Sequence, residues 1–102
     1  MAVIRWDAER RGPVSEAALR DCLEARGYAV SRYIYPPSTV FPDHTHDVDK
    51  IDAVISGTFR IVLEGKKFVL GPGDAVDVPH GTVHSAAVVG NGPVVSLDAV
   101  RR

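Results

Sequence analysis

The spacing of hydrophobic and polar positions changes once along the chain, at Gly27. Before it, Ala18, Leu19, Cys22 and Leu23 recur at three- and four-residue intervals and share one helical face. Ser15 can accept the first unpaired amides, Glu16 sits where the helix dipole favours an anion, and Gly27 suits a left-handed stop. The spacing predicts a helix over about residues 15–26. So short a helix does not persist alone, so Leu19 and Leu23 must pack on something else. After Gly27 the period becomes two. Strand candidates cover residues 28–35, 39–46, 50–56, 58–64, 67–70, 75–78, 83–89 and 94–97. Turn residues separate them, as at Pro36-Pro37-Ser38, Ser56-Gly57, Gly71-Pro72-Gly73-Asp74, Pro79-His80-Gly81 and Gly90-Asn91-Gly92-Pro93. Strands this short and evenly spaced suggest an all-β sandwich or small barrel, residues 28–102, with residues 1–27 as an N-terminal segment whose helix packs on it.

Composition supports that class. Valine occurs 16 times and leucine 5 times, a bias toward strands over a helical bundle. Twelve Lys+Arg against thirteen Asp+Glu leave a formal net charge of -1, without the basic run that nucleic acid or an anionic membrane would need. No helix-turn-helix segment stands out, and no apolar stretch approaches the roughly 18 residues of a membrane span. The first eleven residues are charged on both sides of Trp6 and lack a signal-peptide core, and Cys22 is the single cysteine. These features set the expectation of a cytoplasmic protein. Cys22 reads as a packed small hydrophobe.

Chemistry concentrates at the histidines. All four lie between residues 44 and 84. His44 and His46 flank Thr45 on a strand candidate, where two-residue spacing puts both rings on one sheet face, close enough to share a first-row metal. Downstream, Gly73-Asp74-Ala75-Val76-Asp77-Val78-Pro79-His80-Gly81-Thr82-Val83-His84 begins at a glycine turn, passes a Pro-x-Gly turn and ends on a histidine. No serine or cysteine nucleophile arrangement can be read from the spacing.

The chain resembles the cupins over roughly residues 28–98. Gly73, Pro79, Gly81 and His84 match the second cupin motif, with Val88 where asparagine is usual. His44, His46 and Gly57 match the first, which opens here on Ser38 in place of glycine and carries Lys50 in place of the metal-binding glutamate. The resemblance implies a single jelly-roll-like β-barrel with a short N-terminal helix. It further implies that His44, His46 and His84 point inward and bind one divalent transition metal (iron, nickel, manganese or zinc). Three neutral imidazoles would leave open positions for water or substrate. His80, inside its turn, is expected to be exposed.

Lys50 is the main departure, because an ammonium cannot ligate a metal. Asp52 falls on the same side two residues later. It could neutralise Lys50 or supply the missing carboxylate; Lys50 could instead hold an anionic substrate, act as a base if burial depressed its pKa, or turn out to solvent on a bulge. Lys50 and Asp52 are therefore the candidate catalytic residues. If they face inward, Ile51, Ala53 and Ile55 face outward and need a cover: the helix, another β layer or a second subunit. Similarity to small cupins points to a homodimer. Tyr33, Tyr35 and Phe41 read mainly as core residues. The expected function is binding or conversion of a small polar molecule, by metal-assisted oxygenation or isomerisation; the alternative is a non-catalytic small-ligand binder or sensor.

Overall fold

The computed structural model describes residues 3–102. The first two residues of the expected N-terminal segment lie outside the described residues. Among the described residues, nine strands and two helices follow in order: β1 (Val3–Arg5), α1 (Ala8–Arg11), α2 (Glu16–Ala25), β2 (Tyr28–Tyr35), β3 (Val40–His44), β4 (Lys50–Ser56), β5 (Thr58–Leu63), β6 (Lys66–Leu70), β7 (Asp74–Val78), β8 (His84–Val89) and β9 (Val94–Arg101). Helix α2 begins where the punctuation placed it, with the Ser15 hydroxyl accepting the Ala18 amide. Gly27 follows it at φ 89, a left-handed conformation that glycine adopts without strain. Strand β1 and helix α1 escaped the sequence reading. A three-residue strand exists only through its pairing with β7, and a four-residue helix only through the Asp7 carboxylate that accepts the Glu9 and Arg10 amides.

The strands form two sheets, ordered β1-β7-β4-β9-β2 and β3-β8-β5-β6. No ladder joins the two among the described residues. The expected closed barrel is therefore incorrect: the sheets are open and lie face to face, each with two edge strands. One reason is visible in β3, which among the described residues pairs only with β8. Pro42 lies inside it and has no amide to donate, so that strand suits an edge. A break in the β3–β8 register falls between Phe41 and His44, next to this proline.

Period two assigns the faces. Val54, Val76, Val78 and Val94 from one sheet meet Phe59, Ile61, Leu63, Leu70 and Val88 from the other in a core between the sheets. The opposite register of the five-stranded sheet presents Ile51, Ala53, Ala75, Leu97 and Ala99 to Leu19 and Leu23 of α2. Ile51 and Ala53 are 0% exposed, so the N-terminal helix supplies their cover and this face needs no second subunit. The larger sheet therefore buries apolar side chains on both of its faces.

One glycine is fixed by close approach. At Gly57, in the β4–β5 turn, φ is 88, and an added Cβ would collide with the Pro93 carbonyl oxygen. Ser38, which stands where the first motif usually opens on glycine, also has a left-handed φ of 70.

Candidate metal and proton-transfer site

The three histidines converge at one end of the space between the sheets. His44 closes β3, His84 opens β8, and the two are register partners. His46 lies beyond β3 in the loop toward β4, so the two-residue pair does not ride on one continuous strand as expected. Two backbone links set its position instead. The Gly81 amide donates to the His46 carbonyl at 2.9 Å, and the His80 amide donates to the Asp49 carboxylate at 2.9 Å. The Pro79-His80-Gly81 turn thus laces the His46 loop to the start of β8.

Ring centroids lie 4.1 Å apart for His44–His84, 4.8 Å for His44–His46 and 5.0 Å for His46–His84. One nitrogen from each ring falls in a group whose members lie within 4.8 Å of one another. Nitrogens ligating one zinc-like ion at about 2.1 Å are at most about 4.2 Å apart, so the group closes on an ion with side-chain shifts below about 1 Å. Tautomers are set by the backbone. His44 Nδ1 lies 2.6 Å from the Pro42 carbonyl and His84 Nδ1 lies 2.9 Å from the Thr82 carbonyl. A carbonyl only accepts, so in both rings Nδ1 carries the proton and Nε2 keeps its lone pair. His46 Nε2 is buried without a hydrogen-bond partner. An orphaned imidazole nitrogen beside two oriented ones is the donor set of a three-histidine metal centre, and the residues fit one.

Charge state agrees with ligation. Desolvation, then the Lys50 charge, holds His46 below the usual histidine range. Desolvation also lowers His84, against the hydrogen bond its ring donates to the Thr82 carbonyl. Neutral rings are the ligating form. His80 is exposed, as expected, and its Nδ1 sits 2.9 Å from Asp49. The backbone and side-chain hydrogen bonds from His80 lower the Asp49 carboxyl.

Lys50 and Asp52 both point between the sheets. Lys50 Nζ lies 2.8 Å from Asp98 Oδ1, with both side chains largely buried. By distance this is an ion pair, although its angles fall short of a hydrogen bond and leave Asp98 Oδ1 without a conventional donor. Asp52 is the register partner of Asp98 across the β4–β9 ladder. Desolvation first, then the Asp98 charge, pushes the Asp52 carboxyl up to about 7, with Lys50 opposing. Asp52 falls outside the group of converging ligand atoms. The cavity volume is about 180 Å³, with Tyr35, Phe41 and Phe59 as its aromatic wall and the histidines, Lys50, Asp52 and Asp98 as its polar lining. Phe41 meets Tyr35 edge-on at 4.9 Å, while Tyr33 stacks behind Tyr35 and is 47% exposed. Burial pushes the Tyr35 hydroxyl up to about 12.

Asp98 and Phe59 were not singled out from the sequence. Asp98 had a signal: it shares inward parity with Val94 and Ser96, but the strand was expected to stop at Leu97, one residue short.

Comparison with known proteins places this geometry. No curated protein matches the sequence. Among solved structures, the chain is similar to KdgF from a Halomonas species, with 31% identity, a TM-score of 0.65, and coverage of 74% of this chain and 71% of that one. A cupin protein from Bacteroides fragilis aligns over 82% of this chain and 73% of its own at 24% identity and a TM-score of 0.65. DMSP lyase DddQ from Ruegeria pomeroyi aligns over 74% of this chain at 28% identity and a TM-score of 0.66, but the chain spans only 39% of that protein. The cupin domain model matches residues 31–100, which contain β3–β8, most of β2 and β9, and all three converging histidines, and the chain therefore belongs to the cupin family.

Proposed function

We propose that His44, His46 and His84 hold one divalent transition metal, and that the adjoining cavity converts a small polar molecule by proton transfer, as an isomerase or lyase does. The observation that carries this reading is the polar floor beside the histidines: Lys50, Asp52 and Asp98 line the same cavity. When bound, a metal of this kind supplies Lewis-acid polarisation of a substrate oxygen.

The remaining roles belong to side chains of the chain. Asp52, pushed up to about 7, exchanges a proton near neutral pH, where a carboxyl acid or base works best. Lys50, held by Asp98, offers an ammonium to an anionic group on the substrate without becoming an uncompensated buried charge. Phe41, Phe59 and Tyr35 exclude water from one side of the cavity. A volume of about 180 Å³ lies below the roughly 300–1,000 Å³ of pockets that enclose drug-sized molecules, so the reacting group is only a few atoms across. Similarity to a lyase among the solved structures is compatible with proton abstraction, whereas oxygenation would make no use of the Asp52–Asp98 pair.

The test is exchange chemistry. Metal-loaded protein is incubated in D2O with a panel of small hydroxy and keto acids, and loss of C–H signals is followed by proton NMR. Exchange that requires metal and disappears in Asp52→Asn, with metal content unchanged, supports the reading. A tightly held ligand with no exchange across the panel would favour a binding protein, and metal-dependent oxygen consumption would favour an oxygenase.

A further inference from the structure

A second cavity lies on the other side of the five-stranded sheet, between β1, α1 and α2. Its volume is about 500 Å³, nearly three times that of the histidine cavity and inside the range of small-molecule pockets. None of the residues of the proposed metal site lines it. Ile4, Trp6, Leu19, Leu23 and Ala75 give it an apolar lining, and Arg5, Arg10, Arg11 and Arg26 are its basic lining residues.

The charges are unbalanced. Arg5 pairs with Asp74 at 2.7 Å. Among the described residues, Arg10, Arg11 and Arg26 have no carboxylate partner. The one acid in the lining, Asp7, already accepts the Glu9 and Arg10 amides as the cap of α1. Arg11 is held over the Trp6 ring, 5.5 Å from its centroid, and its Nη1 lies 2.6 Å from Cys22 Sγ. The Trp6 indole N–H is itself satisfied, donating to the Gly12 carbonyl at 2.8 Å, so the ring offers the cavity only apolar surface. Three uncompensated guanidinium groups around an apolar cavity match an anionic head on an apolar body.

We propose that this cavity binds an amphipathic organic anion, with its carboxylate on Arg10, Arg11 and Arg26 and its apolar body against Trp6, Leu19 and Leu23. The site is separate from the histidine centre and does not depend on a metal there.

Two intrinsic probes serve the test, because Trp6 and Cys22 are the single tryptophan and single cysteine of the chain and both line the cavity. Decanoate and its uncharged counterpart decanol are titrated against metal-free protein while Trp6 emission is recorded. The expected result is a saturable change with decanoate binding at least about tenfold tighter than decanol, slower alkylation of Cys22 by a maleimide, and weakening at raised salt. A triple variant, Arg10→Gln, Arg11→Gln and Arg26→Gln, brings the two affinities within about threefold, while His84→Ala leaves decanoate binding unchanged. The comparison of decanoate with decanol uses the unaltered chain, so it decides the matter even if the triple variant fails to fold. Equal affinity for the two compounds, or no saturable change in Trp6 emission, overturns the proposal. So does protection of Cys22 by raised protein concentration alone, which would assign the cavity to a second copy of the chain.

Discussion

Replacing Asp52 by Asn in metal-free protein has a calculable effect on stability. The carboxyl has an ordinary value of 3.8 and is pushed up to about 7 in the fold, chiefly by desolvation and then by the charge of Asp98. Because the folded value is raised, the native state keeps a proton between about pH 4 and pH 7 that the unfolded chain has released. Its contribution is therefore fully present below about pH 4 and is lost as pH rises to about 7, at about 1.4 kcal/mol per pH unit. The whole loss is about 4 kcal/mol. Asparagine binds no proton, so the stability of Asp52→Asn relative to the parent should rise by about 2 kcal/mol from pH 5 to pH 7 and level off by about pH 8. Urea unfolding at pH 5, 6, 7 and 8 with chelator present measures this difference. The chelator matters because a dication beside the pair would lower the carboxyl value by itself. His46 and His84, whose folded values are lowered, act in the opposite direction, with stability rising with pH through the histidine range. They are common to both proteins and cancel in the difference. A difference constant within about 0.5 kcal/mol over that range would refute a desolvated, proton-holding Asp52.

Three further outcomes follow from the geometry. A divalent metal at a hundred times its dissociation constant should stabilise the protein by about 2.7 kcal/mol, raising Tm by about 10 °C or more, and His84→Ala should abolish that shift; an equal shift in the variant would move the metal elsewhere. Lys50→Met should destabilise by about 3 kcal/mol at pH 8 because Asp98 is left as an unpaired, largely buried anion, and by clearly less at pH 5, where Asp52 holds its proton and no longer repels the Asp98 carboxylate; a pH-independent effect would point to lost packing instead. Gly57→Ala should lower stability by about 2 kcal/mol or more in denaturant titrations, since it combines a left-handed φ with collision against the Pro93 carbonyl; a neutral substitution would mean that the β4–β5 turn relaxes freely.

Much of the architecture was legible because it is local. The change of period at Gly27, the Ser15 cap and the turn residues placed α2 and each of β2–β9 to within a few residues, since alternation and capping depend on near neighbours. The donors of the site were also legible, as His44, His46 and His84 carry the motif that resembles the cupins. What failed was whatever distant partners decide. Strand β1 is defined by pairing with β7, some 70 positions away, and the last residues of β9 by pairing with β2 and β4. The route by which His46 reaches the site was misread because a register shift beside Pro42 ends β3 at His44, and the turn at residues 79–81 then holds the loop.

By itself, then, the sequence determined a mostly β chain with a short N-terminal helix and marked the three histidines that converge, all carried by short-range spacing and residue chemistry. Tertiary structure decided that the two sheets stay open, because closure depends on ladders between strands far apart in the chain and none forms among the described residues. It also decided the electrostatics of the site. A lysine in the glutamate position looks hostile to a metal until Asp98, 48 residues away, is seen to pair with it, and the Asp52 carboxyl is raised first by burial and then by the second carboxylate that β9 sets opposite it. Such shifts arise from desolvation and from charges that meet only after folding.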